Sequence, residues 1–208
     1  MTVISIKKRT GGRSARVRQD VLTQALFELV EQGYVGFSIG QIAQRANVHE
    51  TTIYRRWPTR EALMIDAIKE FAHSQLNVIN SGSLVDDLRH YLNAIVQLLQ
   101  TQIGKSLMML AFDPNLKHIN LALWQERQKI AEQIFQSAIG RNEWPEHYDQ
   151  DLVFSEIFGP LFTQTCLLQQ PINDMIIQAR VDFIIRNVDF FKLKPAYSVP
   201  KSDYFSQI

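Results

Sequence analysis

The sequence predicts an all-α fold, and three observations carry that prediction. Apolar residues recur at three- and four-residue spacing along almost the whole 208-residue chain. Runs of strict alternation rich in Val, Ile and Thr are missing. Segment ends carry helix start and stop chemistry, with Ser38 and Thr59 before apolar stripes and Gly33 and Pro58 after them. An apolar share of 46% and a net charge of +1 are those of a globular protein. The longest unbroken apolar run, Leu107 to Phe112, falls far short of the roughly 18 residues of a membrane span. Basic residues from Lys7 onward precede any signal-peptide core, so the expected location is cytoplasmic with no membrane partner.

The elements follow in order. The first helix places Val21, Leu22, Ala25, Leu26, Leu29 and Val30 on one face and stops at a left-handed Gly33. After a turn over Tyr34 to Phe37, Ser38 and Gln41 have the spacing of a capping box, with Ile42, Ala43 and Ala46 behind it as the buried stripe of a short second helix. Val48 is the buried pivot of a tight turn, and a third helix spans His49 to Trp57, ended by Pro58. Thr59 caps a fourth helix that reaches Leu76, with Glu61 in its first turn.

Asn77 to Ser83 reads as a linker. Beyond it come a helix over Leu84 to Gln100, a short apolar segment from Ser106 to Phe112, an Asp113-Pro114-Asn115 turn and a long helix from Leu116 to Ile139. Turn-rich residues Gly140 to Gln150 lead to two last helices, Asp151 to Leu168 and Ile172 to Phe191, the first expected to kink at Gly159-Pro160. The count is about nine helices.

The charge is asymmetric. Residues 1–66 carry ten cations against six acids, and the rest of the chain carries 12 against 15. A basic end on an acidic body predicts a polyanion contact confined to that end. A helix, a capped short helix, a three-residue turn and another short helix make a helix-turn-helix, whose second helix enters a DNA major groove. That helix presents His49, Glu50, Thr51 and Thr52 at its start, then Tyr54, Arg55 and Arg56. Short polar side chains read base edges, while cations and hydroxyls grip phosphates. Arg13, Ser38, Gln41 and Arg60 complete the expected DNA-facing set.

Phe37-Ser38-Ile39, Ile42-Ala43, Arg45-Ala46-Asn47-Val48 and the run from Thr52 to Leu63 (TIYRRWPTREAL) resemble the DNA-binding domain of TetR-family transcriptional regulators over about residues 15–66. The resemblance implies that Thr52 and Tyr54 touch phosphate, that Arg56 stands where a phosphate-binding His is frequent, and that Arg60 replaces a Lys at the start of the fourth helix. It also implies that Ile53 and Trp57 are core. Asn47 replaces the usual turn glycine and, being tolerant of left-handed backbone, fits there. His49 stands where Ser or Thr commonly caps, and Glu50 where Lys is frequent, so an operator unlike the family's commonest type is expected.

The charge run marks a basic arm over 1–12 and the two prolines beyond Lys194 a tail over 194–208, and the resemblance implies a helix-turn-helix domain over 13–66 and an all-helical ligand-binding and dimerisation domain over 67–193. Apolar residues wrap the last two helices beyond one core face, which independently predicts a two-fold partner through Phe154, Phe158, Leu161, Phe183, Ile184 and Phe191. Met109, Phe112, Trp124, Phe158 and Phe162 are the expected walls of an apolar pocket, beside the polar His118, Asn120, Gln125 and Gln128. The expected partners are therefore double-stranded operator DNA, a second copy of the chain and a small apolar or aromatic effector that releases a repressor.

Enzymatic motifs fail. Gly104-Lys105-Ser106 lacks the glycine that a phosphate-binding loop needs five positions earlier, where Leu99 stands. His49-Glu50 would need a second His at Ile53 to make a zinc-protease site. With one cysteine, Cys166, and no close histidine pair, neither metal nor cofactor is expected. Two rival classes are a ligand-independent activator or architectural DNA binder, marked by a filled C-terminal domain, and a helical enzyme, marked by paired titratable groups in a pocket.

Overall fold

In the computed structural model the described residues, 12–110 and 116–192, form ten α-helices and no β-strand. The basic arm apart from Gly12, Phe112, the Asp113-Pro114-Asn115 turn and the 194–208 tail lie outside those residues.

The N-terminal elements obey their local chemistry. Helix α1 (Arg13–Gly36) buries Val21, Leu22, Ala25, Leu26 and Leu29. Gly33, at φ 66° and ψ −172°, breaks the helix where a stop was expected, and a short turn resumes beyond the kink as far as Gly36. Ser38 Oγ accepts from Gln41 N at 3.3 Å to start α2 (Ile39–Arg45), whereas the Gln41 side chain is exposed and returns no bond. Asn47 takes the left-handed turn at φ 51°, and half-buried Val48 donates to Ala43 O at 3.0 Å. Helix α3 is Glu50–Tyr54, shorter than expected, with Trp57 N still bonded to Ile53 O at 2.9 Å. His49 precedes it without a side-chain capping bond.

Thr59 Oγ1 accepts from Ala62 N at 3.1 Å and opens α4 (Arg60–Gln75), which packs on α1 at one end and on α7 (Lys117–Gly140) at the other. Ser83 caps α5 (Leu84–Gln100), which lies against α6 (Gln102–Leu110), α7 and α9 (Asp174–Arg186). Gly104 is required at the α5–α6 corner, since a Cβ there would fall 1.9 Å from Leu98 O. That close crossing, rather than any phosphate, explains the glycine before Lys105.

Three helix boundaries differ from expectation. Helix α6 begins at Gln102, because Thr101 Oγ1 accepts from Gly104 N at 2.9 Å. Helix α8 (Gln150–Phe162) contains Pro160 and passes into a π-helical turn over Thr163–Leu167, closed by Leu168 N on Thr163 O at 3.0 Å. The last helix divides at Asn187, whose side chain bonds back to Phe183 O at 2.7 Å, and α10 (Val188–Phe191) follows. Phe183 O thus takes two bonds from Asn187, since the backbone amide also donates to it at 3.1 Å. One continuous apolar core joins the helix-turn-helix to the C-terminal helices. Among the described residues no helix is long and apolar enough to cross a membrane.

Candidate nucleic-acid interface and its cavity

The face built by α1 and α3 carries exposed hydroxyls and cations on an apolar frame. Ile53 and Trp57 are buried, while Thr51, Tyr54, Arg55 and Arg56 are exposed and Thr52 is half-buried. A groove of about 690 Å³ separates the starts of α1 and α3, lined by Arg13, Arg18, Thr52, Arg55 and Arg56. Arg18 is committed to Asp66 at 3.1 Å and Glu70 at 2.8 Å. Arg13 and Arg55 have no ion pair among the described residues, and Arg56 donates from Nη2 to Ser14 Oγ at 3.1 Å and lies over the Trp57 ring, 5.8 Å from its centroid. The first turn of α1 holds cations and no acid, although the helix dipole is positive there. A phosphate bound at this end would relieve that unfavourable placement.

Three expected DNA-facing residues are otherwise engaged. Arg60 donates to Tyr34 O at 3.0 Å and Glu61 Oε1 at 3.1 Å, and its guanidinium stacks 4.3 Å from the Tyr34 ring centroid. Two of its donors serve the α1–α4 junction. Ser38 spends its hydroxyl on the α2 cap. Glu50 leans back toward α2, where a Cβ on Gly40 would lie 3.2 Å from its Oε1. Arg45 ties α2 to α1 through Glu28 at 3.3 Å and Glu31 at 2.9 Å.

Behind this face lies an apolar cavity of about 440 Å³ among α5, α6, α7 and α8. Trp124, Phe158 and Phe162 line it, as expected. Met109 belongs to α6, but its side chain, like that of His118, lies outside the described set, as does all of Phe112. Of the other polar neighbours only Asn120 lines the cavity; Gln125 is exposed and Gln128 is bonded to Asp151. Trp124 and Phe158 meet edge-on at 6.0 Å between centroids, and Trp124 and Phe154 at 4.6 Å. Sequence reasoning missed Arg127. It follows Asn120, Leu123 and Trp124 at helical spacing on one face of α7, and that periodicity alone would have found it.

The cavity wall is bonded to the helix-turn-helix through α4. Glu126, next to Arg127, accepts from His73 Nε2 at 2.7 Å and Lys69 Nζ at 3.3 Å. Burial tends to raise the Glu126 carboxyl, but the His73 and Lys69 bonds outweigh it and hold the group below its ordinary value. Further along α4, Asp66 accepts from Trp57 Nε1 at 2.9 Å.

Five of the six expected interface residues, Phe154, Phe158, Leu161, Ile184 and Phe191, are buried within the protomer. Most of their surface is spent on the chain's own core. Phe183 is 40% exposed, and with Leu167, Leu168, Met175 and Phe190 it forms the exposed apolar surface of this end.

A family model described as "Bacterial regulatory proteins, tetR family" matches residues 21–67, and one described as "Tetracyclin repressor-like, C-terminal domain" matches residues 78–184, half of the chain by itself. The chain belongs to the TetR family. Among curated proteins it is 25% identical to the uncharacterized HTH-type transcriptional regulator YdeS of Bacillus subtilis, over 82% of this chain and 89% of that one. It is 28% identical to the HTH-type transcriptional regulator AqdR of Rhodococcus erythropolis, over 73% and 75% of the two chains. The crystal structure of the TetR family transcription regulator SCO0332 has the same fold, with a TM-score of 0.68 at 22% identity over 83% of this chain and 98% of that one. This TetR-family protein is thus a DNA-binding regulator of transcription, and α3 is the second helix of its helix-turn-helix.

Proposed function

We propose that the protein is a dimeric repressor that leaves a palindromic operator when a small, largely apolar effector fills the cavity. The observation that carries this reading is the continuous linkage from cavity to α3: Arg127 lines the cavity, adjacent Glu126 holds Lys69 and His73 of α4, and Asp66 of α4 holds Trp57. A ligand alters DNA affinity only as far as it binds two conformations unequally. Two α3 helices entering successive major grooves must stand about 34 to 36 Å apart, so a tilt of α4 that changes this spacing weakens binding. In this reading residues 13–66 contact DNA and residues 67–193 take the effector and the partner.

The exposed Met175 and Phe183, eight residues apart on α9 and so close to one face, supply the apolar surface for a two-fold partner. The cavity favours a ligand-responsive protein over a ligand-independent activator or architectural binder. Arg127 is the single charged residue among the described lining residues, so the cavity lacks the paired titratable groups of an enzyme. Sedimentation with footprinting on DNA selected from a random pool tests the assembly, with two protected half-sites per dimer expected. Binding as a monomer to one half-site would refute it. A reporter placed behind the selected site should be silenced by the protein, and activation would refute the repressor reading.

A further inference from the structure

Arg127 is a cation on the wall of a largely apolar cavity, with no counter-ion among the described residues. Its cavity neighbours are mostly aromatic and aliphatic, among them Leu98, Trp124 and Phe158, with Asn120 and Ser155 as the polar exceptions and no acid among the described lining residues. The guanidinium makes no ion pair and no side-chain hydrogen bond among the described residues; its backbone carbonyl alone accepts from Tyr91 Oη at 3.2 Å. The side chain is half-buried and lines the cavity. Burial drives its proton affinity below the ordinary value, yet an arginine stays charged in a protein. Such a group is costly to bury unpaired, and every other buried or half-buried cation of the helix-turn-helix and α4 named above has a carboxylate.

We infer that the cavity takes a monoanionic amphiphile, an organic carboxylate whose headgroup pairs with the Arg127 guanidinium while its apolar body lies against Trp124, Phe158 and Leu98. A planar carboxylate matches the two-pronged guanidinium. A dianionic phosphate would leave a second charge uncompensated, because no other described lining residue is charged. This deepens the effector reading and rests on it.

The test uses the full chain and two probe pairs, each alike in body and different in charge. One pair is 8-anilino-1-naphthalenesulfonate and neutral N-phenyl-1-naphthylamine, followed by fluorescence; the other is decanoate and decan-1-ol, followed by displacement of the neutral dye. The anionic member of each pair is expected to bind about tenfold or more tightly. Arg127→Gln is expected to erase that preference while the neutral members bind as before, and Arg127→Lys to keep part of it. Circular dichroism confirms that both variants are folded, and Arg127→Met, which keeps the apolar stem, replaces Arg127→Gln if that variant is not. Equal affinity within the pairs, a preference that survives loss of Arg127, or no binding of any probe to the folded protein overturns the inference. Decanoate bound through Arg127 without any effect on operator binding would instead leave this inference standing and remove the effector reading.

Discussion

Trp57 Nε1 donates to Asp66 Oδ2 at 2.9 Å, and the same carboxylate oxygen takes Arg18 Nη2 at 3.1 Å. One atom of α4 therefore fixes the end of the α3 segment and the first helix together. The DNA-contacting face cannot shift on α4 without breaking that three-way junction, so a movement of α4 is passed on as a movement of α3.

Asp66→Ala should remove both bonds while leaving the apolar packing of Trp57 in place. Because Arg18 and Asp66 are each about a third exposed, the expected loss is modest, about 1 to 2 kcal/mol in chemical denaturation. Operator affinity should fall further than stability accounts for, since the angle of α3 is no longer held. An unchanged affinity at reduced stability would mean that packing alone sets the angle.

The arginines should separate by salt dependence. Arg13→Ala and Arg55→Ala should weaken binding to every DNA sequence and flatten the salt slope by about one unit for each phosphate the side chain neutralises. Arg60→Ala should lower stability through the missing bonds to Tyr34 and Glu61 and leave the slope as it is. A slope change in Arg60→Ala would place it on the DNA face.

Glu50 lies beside Gly40 at the start of α2, and in the proposed DNA-bound state it would face the phosphate field of the duplex. Its removal in Glu50→Ala should tighten binding to operator and scrambled DNA about equally by lifting a repulsion. Loss of discrimination at one base position, measured on single-substituted operators, would show instead that the carboxylate reads cytosine N4.

The Glu126 link to α4 has a pH window set by a lowered pKa. Its contribution is complete above the ordinary carboxyl value of 4.5 and is lost as pH falls through the lower value of the folded protein. The stability gap between wild type and Glu126→Gln should persist from neutral pH to about pH 5 and shrink below it. A gap that opens only in acid contradicts the assignment.

Phe154→Asp should abolish folding, since the ring is 2% exposed within the protomer and an unpaired carboxylate has no partner there. Phe183→Asp, on the exposed surface, should give a folded monomer in sedimentation. A folded dimer in the second case would place the partner elsewhere.

Local chemistry was legible in the sequence where a residue's role depends on its immediate neighbours. Ser38 and Thr59 cap because their hydroxyls reach an amide three residues on, and Asn47 tolerates the left-handed turn through its own side chain. Ile53 and Trp57 are core as the resemblance implied. What depends on a distant residue was not legible. Arg60 looks like a phosphate ligand, and that Tyr34, 26 residues earlier, accepts from it shows only in the fold. Phe154 and Ile184 look like surplus apolar surface, and only the fold shows how far the core of their own chain buries them. Arg127 carried a helical periodicity that placed it beside Trp124, but the missing carboxylate is visible only once every neighbour is in place.

Operator affinity of the full-length protein, measured with and without saturating decanoate in wild type and in Glu126→Gln, tests the coupling of cavity to α3 most directly. In the wild type, occupancy should weaken binding about tenfold or more, a coupling within the usual range of about 1 to 3 kcal/mol, and most of that effect should vanish in Glu126→Gln. Decanoate bound in the cavity with operator affinity unchanged in the wild type would contradict it.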